Sequence, residues 1–469
     1  MFLSRRRGIC LSLLGEVCQL SHGRRPPLAQ GFDDRLEKVY NKSAGVAVDR
    51  REVNEQCERR ADIQGLASSP GRDARGTCAR VLSLLILWVG GLIIPVSRCA
   101  RDKISTNEFL TLSTVMKALI LAGGEGTRLR PMTYSVPKVM APLANVPFLE
   151  AMISWICQHG IRDIVLAICY KPELISDYFG DGSRLGARIA YVVEKEPLGT
   201  GGAIKNCEDL LDSPFFVFNG DILTDLDLTD MARRHADRRA EASISLTWVE
   251  DPTIYGVVET DGDAKVRRFL EKPALHEATS HFINAGTYIL EPHLLARMPA
   301  GQPLSIERDF YPQALSDGAR IFAYPSGGYW LDIGTAAKYL KAHRDILDGV
   351  IRLELPGRHS SKGITVGEGC ELRGELHPPA LLGSNCVVER GARIGPYAVL
   401  GDSVVVAKGA VVEHSVLWRG CSVQKGVLVC SSVVGFDTRV PAGCQLVDAA
   451  VGEKGHGLSS PRAQGRREV

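Results

Sequence analysis

Residues 118–138 read ALILAGGEGTRLRPMTYSVPK. The run opens on Ala118-Leu119-Ile120-Leu121-Ala122, apolar throughout and closed by glycines. An apolar run that short predicts a buried parallel strand. Gly123, Gly124 and Gly126 follow as a tight loop. Residues without Cβ atoms let backbone N–H groups approach an anion closely. Arg128, Arg130 and Lys138 then put fixed positive charge beside those amides. A strand, a glycine loop and nearby cations suit a polyphosphate. The stretch lacks the GK[ST] ending of a P-loop, and Arg130-Pro131 interrupts any Rossmann-type helix start.

Working outward, the downstream sequence alternates strand-like and helix-like segments. Residues 148–159 predict a helix with Leu149, Met152, Ile153 and Ile156 on one face, ending at Gly160. Residues 164–168 predict a strand, 172–179 a helix, 187–193 a strand, 201–211 a helix and 215–218 a strand. This alternation predicts a mainly parallel sheet with helices on both faces, and ligands in such sheets bind at the carboxyl ends of strands. Asp221, just past one such strand, is either a metal-ligand candidate or a turn cap. Asp332, in GYWLDIGT, is a second candidate or the N-cap of the next helix, a place Thr335 can also fill. Two carboxylates far apart in sequence suit Mg²⁺, which combines one or two carboxylates with substrate phosphates. A second glycine loop, EPLGTGG at 196–202, leads into a helix. Glu271-Lys272-Pro273 is either a sugar- and phosphate-binding pair or a solvated charge pair.

The ordered motifs GGEGTRLRP…PK, EPLGTGG, NGD, YGVV, EKP, INAGTYIL, SIERDFYP and GYWLDIGT resemble the sugar-1-phosphate nucleotidyltransferases, most of all their mannose-1-phosphate guanylyltransferase branch. The resemblance runs from Met116 to about Leu347. It implies nucleotide binding by Leu121, Ala122, Gly123, Gly124, Gly126 and Thr127, with Gly199 and Thr200 on the base side. It implies sugar-phosphate binding by Gly256, Glu271, Lys272 and Asn284. Arg128, Lys138, Asp221 and Lys272 become the expected catalytic residues, and Asp221 and Asp332 the expected Mg²⁺ ligands. The expected substrates are a nucleoside triphosphate, GTP favoured, and a sugar 1-phosphate. The alternatives are uridylyl or thymidylyl transfer to glucose 1-phosphate, or a catalytically silent regulatory subunit on the same fold. The usual PKPM or PKPL is here Pro137-Lys138-Val139-Met140, which loses a proline but no functional group. A sugar phosphate is already ionised at neutral pH, so no general base is expected.

Composition narrows the class. With 469 residues, two or more domains are expected. A net charge of +2 gives no support for nucleic-acid binding or strong membrane attraction. Thirteen cysteines show no CxxC pair, so reduced thiols and a cytoplasmic location are expected. Residues 1–115 form an atypical, arginine-rich extension. Within it the apolar run 81–97 is near the short end of a membrane span, weakened by Gly90, Gly91 and Pro95. A membrane anchor, a cryptic signal region and translated sequence ahead of a start at Met116 compete, and the last is favoured.

The expected organisation is thus a 116–349 catalytic domain, a 350–362 linker, a 363–452 repeat domain and a 453–469 disordered tail. In the repeat domain Leu382, Val388, Ile394, Leu400, Val406 and Val412 recur every six residues. That period predicts a left-handed parallel β-helix, with Gly391, Gly395, Gly401 and Gly409 at corners. Trp418 is next in register, after which the phase shifts and continues weakly through Val423 and Val429. Flat coil edges favour a homo-oligomer. An acetyltransferase reading has only His377 and His414 as bases, neither with a paired acid in sequence, so a structural coil is expected.

Overall fold

The computed structural model describes residues 116–353 and 362–452, together with the backbone of short strands at 86–89, 92–95 and 358–359. The chain divides into two units, Met1–Asp102 and Lys103–Val469. In the first, Ile86–Val89 and Leu92–Pro95 pair as an antiparallel hairpin inside the apolar run. The remaining expectations for 1–115 and for the tail after Gly452 lie outside the described residues. Among the described residues no helix is long and apolar enough to cross a membrane.

The second unit starts with β1 (Lys117–Leu121), α1 (Phe148–Gln158), β2 (Asp163–Ile168), α2 (Pro172–Phe179), β3 (Arg188–Val193), α3 (Gly199–Asn206) and β4 (Phe215–Asn219). Each lies where the apolar patterning puts it, with one correction. The expected 201–211 helix starts two residues early, at Gly199, and gives way to a separate 3₁₀ turn at Glu208–Leu210. Strands β4, β1, β2 and β3 pair parallel in that spatial order, with β1 central between β4 and β2. Leu119, Ile120 and Leu166 are fully buried, as a strand covered on both faces requires.

The chain continues through β5 (Ile222–Thr224), α4 (Leu228–Asp237), β6 (Ala242–Trp248), β7 (Gly256–Thr260), β8 (Val266–Glu271), β9 (Phe282–Leu290), α5 (Tyr311–Ser316), β10 (Ile321–Pro325), β11 (Trp330–Asp332) and α6 (Ala336–Leu347). Strand β9 joins the main sheet antiparallel to β4, and β6 and β7 each pair with β9. Outside the main sheet, β5 and β11 form a short antiparallel ribbon that matches Ile222 with Asp332.

From Ile364 to Val451 the strands are two or three residues long and stack into three parallel sheets, the arrangement of a left-handed β-helix. Leu382, Val388, Ile394, Leu400, Val406 and Val412 all point inward and are fully buried. Trp418 departs from its expected place. Leu400 pairs with Leu417, one residue short of the eighteen-residue step that links Leu382 to Leu400. The corner between Val412 and Leu417 is one residue tighter than that between Ile394 and Leu400, so Leu417, also fully buried, becomes the rung. The inward series then runs through Val423, Val429, Val434 and Val440. Released from the coil interior, Trp418 packs into the core of the α/β layer, where its Nε1 donates to the Tyr339 hydroxyl at 3.0 Å. The outward column Leu381, Val399, Val416 and Val433 joins the same core, so this flat face of the coil is covered from within the chain.

Candidate active site

The glycine loop leaves the end of β1 at the sheet's carboxyl edge. Gly126 has φ +65°, and a Cβ there would lie 2.7 Å from Lys138 Cβ. A side chain at 126 would therefore displace Lys138 as well as strain the backbone. Thr133 Oγ1 donates to the Gly126 carbonyl at 2.8 Å and fixes the return of the loop. Gly220 makes the second close approach, because a Cβ there would sit 2.5 Å from the Leu121 carbonyl oxygen. The Gly220 N–H donates to that oxygen at 3.1 Å, which draws Asp221 to the end of β1.

Asp221 Oδ2 accepts from Lys138 Nζ at 2.6 Å. Asp332 reaches the same place through the β5–β11 ribbon, where the Ile333 N–H donates to the Asp221 carbonyl at 2.9 Å. Thr335, not Asp332, caps α6, accepting from the Lys338 N–H at 3.3 Å. Asp332 Oδ2 instead accepts from Lys338 Nζ at 2.7 Å, and that ammonium also donates to the Tyr255 hydroxyl at 3.0 Å. Burial works against the Lys338 charge, but these two bonds outweigh it and raise its pKa overall. Asp332 Oδ1 is buried without a hydrogen-bond partner. A Cβ on Gly334 would lie 2.6 Å from that oxygen and 3.1 Å from Arg128 Nη2, so both groups face the same glycine. Arg128 itself is exposed.

The two aspartates fit a hard divalent cation. Asp332 offers a buried carboxylate oxygen without a partner, on the ribbon whose Ile333 N–H bonds the Asp221 carbonyl, and hard oxygens of this kind suit a cation whose coordination substrate phosphates complete. Among the described residues no group of three or more His, Cys, Asp or Glu is placed to hold a metal without such help.

A cavity of about 350 Å³ opens beside Lys138 and Asp221, and Asp332 is not among the residues that line it. Leu121, Gly123, Gly124, Lys138, Asp221, Gly199 and Thr200 all line it, so residues up to 100 positions apart meet there. Ala122 is buried behind the loop, and Gly126, Thr127 and Arg128 stand outside the cavity wall. Thr200 keeps its hydroxyl within the protein, donating to Glu307 Oε2 at 2.8 Å and accepting from the Ile306 N–H at 2.9 Å. A larger cavity of about 510 Å³, between α1 and β5, holds none of the expected residues.

The expected sugar-side residues cluster separately. Gly256 and Glu271 are direct partners across β7 and β8. A Cβ on Gly256 would meet Glu271 Oε2 at 2.9 Å, so the glycine makes room for that carboxylate. Lys272 follows with φ +49°, its N–H on the Tyr255 carbonyl at 3.0 Å and its Nζ 3.8 Å from Glu271 Oε1. Burial, then the nearby Glu307 carboxylate, push the Glu271 carboxyl upward against the pull of Lys272. Asn284 uses its amide internally, donating to the Tyr288 hydroxyl at 2.7 Å and accepting from the Gly286 N–H at 2.9 Å.

Four residues escape the sequence reading. Asn219 lines the cavity with Oδ1 buried and unpartnered. Glu194 also lines it, 7% exposed, with Oε2 accepting from the Leu198 N–H at 3.1 Å, and burial raises its pKa. An acid closing the apolar run of β3 is the signal that singled out Asp221, and it applies to Glu194 equally. Lys338 and Glu307 have no comparable signal, since a helix lysine and a glutamate in a turn are ordinary surface residues. In the coil, His377 does meet an acid, Glu375 at 3.5 Å, contrary to the sequence expectation, but both side chains are largely exposed.

Residues 117–349 match the nucleotidyl transferase family and residues 376–456 the GMPPB C-terminal domain. A mannose-1-phosphate guanylyltransferase of Mycobacterium tuberculosis is 38% identical over 314 residues, 66% of this chain and 82% of the relative. A UTP–glucose-1-phosphate uridylyltransferase of Synechocystis is 34% identical over 337 residues, 68% of this chain and 87% of the relative. The mannose-1-phosphate guanylyltransferase catalytic subunit beta of Danio rerio is 38% identical over 276 residues, 58% of this chain and 74% of the relative. With that family match and with relatives covered over most of their length, the chain belongs to the nucleotidyl transferase family.

Proposed function

We propose that this chain joins a nucleoside triphosphate to a sugar 1-phosphate with release of pyrophosphate, and that the pair is GTP and mannose 1-phosphate. The observation that carries the reading is the single cavity walled by Gly123, Gly124, Lys138, Gly199 and Asp221, with Asp332 held beside it by the β5–β11 ribbon. A phosphate oxygen of the sugar 1-phosphate attacks the α-phosphorus. The bond from that phosphorus to the bridging β-phosphate oxygen breaks, and pyrophosphate leaves in line. The protein's part is positioning and charge stabilisation. Loop amides at Gly123 and Gly124 hold the triphosphate. Arg128 stabilises the leaving pyrophosphate, and Lys138 and Lys272 hold the attacking phosphate and offset the repulsion between two anions. Glu271 and Gly256 take the sugar. Asp221 and Asp332 are the residues that would hold Mg²⁺, which supplies charge neutralisation at the phosphate oxygens.

Two relatives named for mannose 1-phosphate and one named for UTP and glucose 1-phosphate frame the choice of base. Glu194 favours guanine. A carboxylate accepts from the guanine N1–H and N2 amino donors, whereas the two carbonyls flanking the single N–H of uracil would repel it. All expected charged residues are present, which weighs against a silent regulatory subunit. The eight cysteines of the described residues are free thiols, which supports a reducing, cytoplasmic setting. The flat edges of the coil support self-association into a homo-oligomer, and the near-neutral net charge gives no support for nucleic-acid binding.

The test is pyrophosphate release with Mg²⁺ across GTP, UTP, TTP, ATP and CTP against mannose, glucose and N-acetylglucosamine 1-phosphates. GTP with mannose 1-phosphate is expected to dominate. Dominance of UTP with glucose 1-phosphate would replace the base and sugar assignment, and release from no pair would turn the reading to a regulatory subunit.

A further inference from the structure

The turn Ile306–Phe310 is a single π-helical turn, a form that occurs preferentially at functional positions. Glu307 lies in its first turn, half-buried, and three hydroxyls converge on its carboxylate. Thr200 donates to Oε2 at 2.8 Å from the base-side loop. Ser305 donates to the same oxygen at 2.9 Å from the turn itself. Tyr288, fully buried, donates to Oε1 at 3.3 Å and accepts at 2.7 Å from the Asn284 amide on the sugar side. An unbroken chain of hydrogen bonds therefore runs from Asn284 through Tyr288 and Glu307 to Thr200.

Leu304, just ahead of the turn, also clasps the base-side loop through backbone. The N–H groups of Gly201 and Gly202 donate to the Leu304 carbonyl at 2.8 and 3.2 Å, and the Leu304 N–H donates to the Leu198 carbonyl at 2.9 Å. Gly199, at φ +70°, comes so close that a Cβ would sit 2.7 Å from the Leu304 carbonyl oxygen.

We infer that Glu307 is a positioning residue, whose carboxylate sets the placement of the nucleotide loop relative to the sugar-phosphate pocket. The inference rests on the nucleotidyl-transfer reading above. Only an acceptor on both oxygens satisfies three donors, and glutamine presents one acceptor and one donor group. Glu307→Gln keeps the shape and forces one hydroxyl to turn away, on one side of the site or the other.

The test varies GTP and mannose 1-phosphate separately in initial-rate assays of the full chain, its Glu307→Gln, Thr200→Val and Tyr288→Phe variants, and the Thr200→Val/Glu307→Gln double variant, with thermal unfolding alongside. Loss of a charged hydrogen bond predicts a fall in kcat/KM of about tenfold or more for both substrates in Glu307→Gln. Thr200→Val and Tyr288→Phe are each expected to raise KM for both substrates, and Thr200→Val to change little further once Glu307 is glutamine. The inference is overturned if Glu307→Gln lowers the unfolding temperature but leaves both kcat/KM values within about twofold of wild type. It is equally overturned if Thr200→Val affects the nucleotide KM alone and Tyr288→Phe the sugar-phosphate KM alone. Should Glu307→Gln not fold, that Thr200 and Tyr288 comparison decides by itself. A wild-type chain that turns over while the variants behave independently overturns only this inference; an inert wild-type chain overturns the functional reading and this inference with it.

Discussion

In the coil, every rung from Leu382 to Val434 is fully buried, and strands pair in step from turn to turn. In the α/β domain, Asn219 Oδ1 in the cavity wall and Asp332 Oδ1 on the β5–β11 ribbon are buried with no partner. The contrast is one of consistency. In the coil, local pattern, packing and polar pairing agree, which is how a sequence specifies one stable structure. At the site they disagree, with one carboxylate oxygen and one amide oxygen left short of partners where a ligand would supply them. Among the described residues the coil has one orphan of its own, His414 Nδ1, and it sits in the tightened corner between Val412 and Leu417.

If this contrast is right, coil substitutions change stability and cavity substitutions change turnover. The largest effect on stability is expected from Trp418→Ala, which empties a site shared by the coil and the α/β core. It should cost about 3–5 kcal/mol in denaturant unfolding, while kcat/KM of the folded fraction stays near wild type. Asp332→Asn should do the reverse, lowering kcat by roughly 10²–10³-fold with a smaller change in unfolding midpoint than Trp418→Ala. A parallel fall in turnover for Trp418→Ala would break the contrast.

The next effect is a pH dependence at the seam. His343 is buried, with Nε2 accepting from the Ala144 N–H at 3.2 Å and Nδ1 donating to the Tyr339 carbonyl at 2.9 Å. Burial lowers its pKa to about 4 from 6.5. The unfolded chain then binds the proton more readily than the folded one between those values. Stability from this group is whole above about pH 6.5 and is lost as pH falls toward 4, by roughly 3 kcal/mol. Comparing unfolding of wild type and His343→Asn between pH 7 and pH 4 checks it: the wild-type decline should flatten in the variant.

A smaller effect tests whether the coil touches the chemistry at all. A Cβ on Gly452 would lie 2.9 Å from both Cβ and the carbonyl oxygen of Pro131, which ends the TRLRP segment carrying Arg128. Gly452→Ala should cost about 1–3 kcal/mol by overpacking and lower kcat/KM a few-fold, the one coil substitution expected to reach turnover. Unchanged kinetics would sharpen the division between the two regions. The smallest effect is at Glu194, where burial raises the pKa above 4.5. The folded state there favours the proton, so the group's contribution to stability falls as pH rises through its folded pKa. Glu194→Gln should unfold at slightly higher temperature than wild type at pH 8, with no difference below about pH 4.5. It should also narrow any preference for GTP over UTP.

Short periods made most of the fold legible. The alternation from Ala118 to Phe218 and the six-residue spacing from Leu382 to Val412 each follow from local geometry. The spacing shows the phase shift to Val423 and Val429 but not its side of Trp418, because the tighter corner falls just before Leu417 and either neighbour can serve as an apolar rung. The same limit hid the supports of the site. Glu307 lies 107 residues from Thr200 and Lys338 holds Asp332 across a helix start. Those pairings are set by how β9, the π-helical turn and α6 pack, which no local pattern records. Glycine loops and strand-end aspartates were legible because their backbone demands are local.

The most direct test of the account is ³¹P NMR of the full chain with GTP, mannose 1-phosphate and Mg²⁺, beside Asp221→Ala. The account predicts matched growth of GDP-mannose and pyrophosphate signals in the wild-type chain and neither in the variant. Wild-type protein that is folded, binds GTP and yet forms no nucleotide-sugar, or a variant that forms it at the wild-type rate, would contradict it.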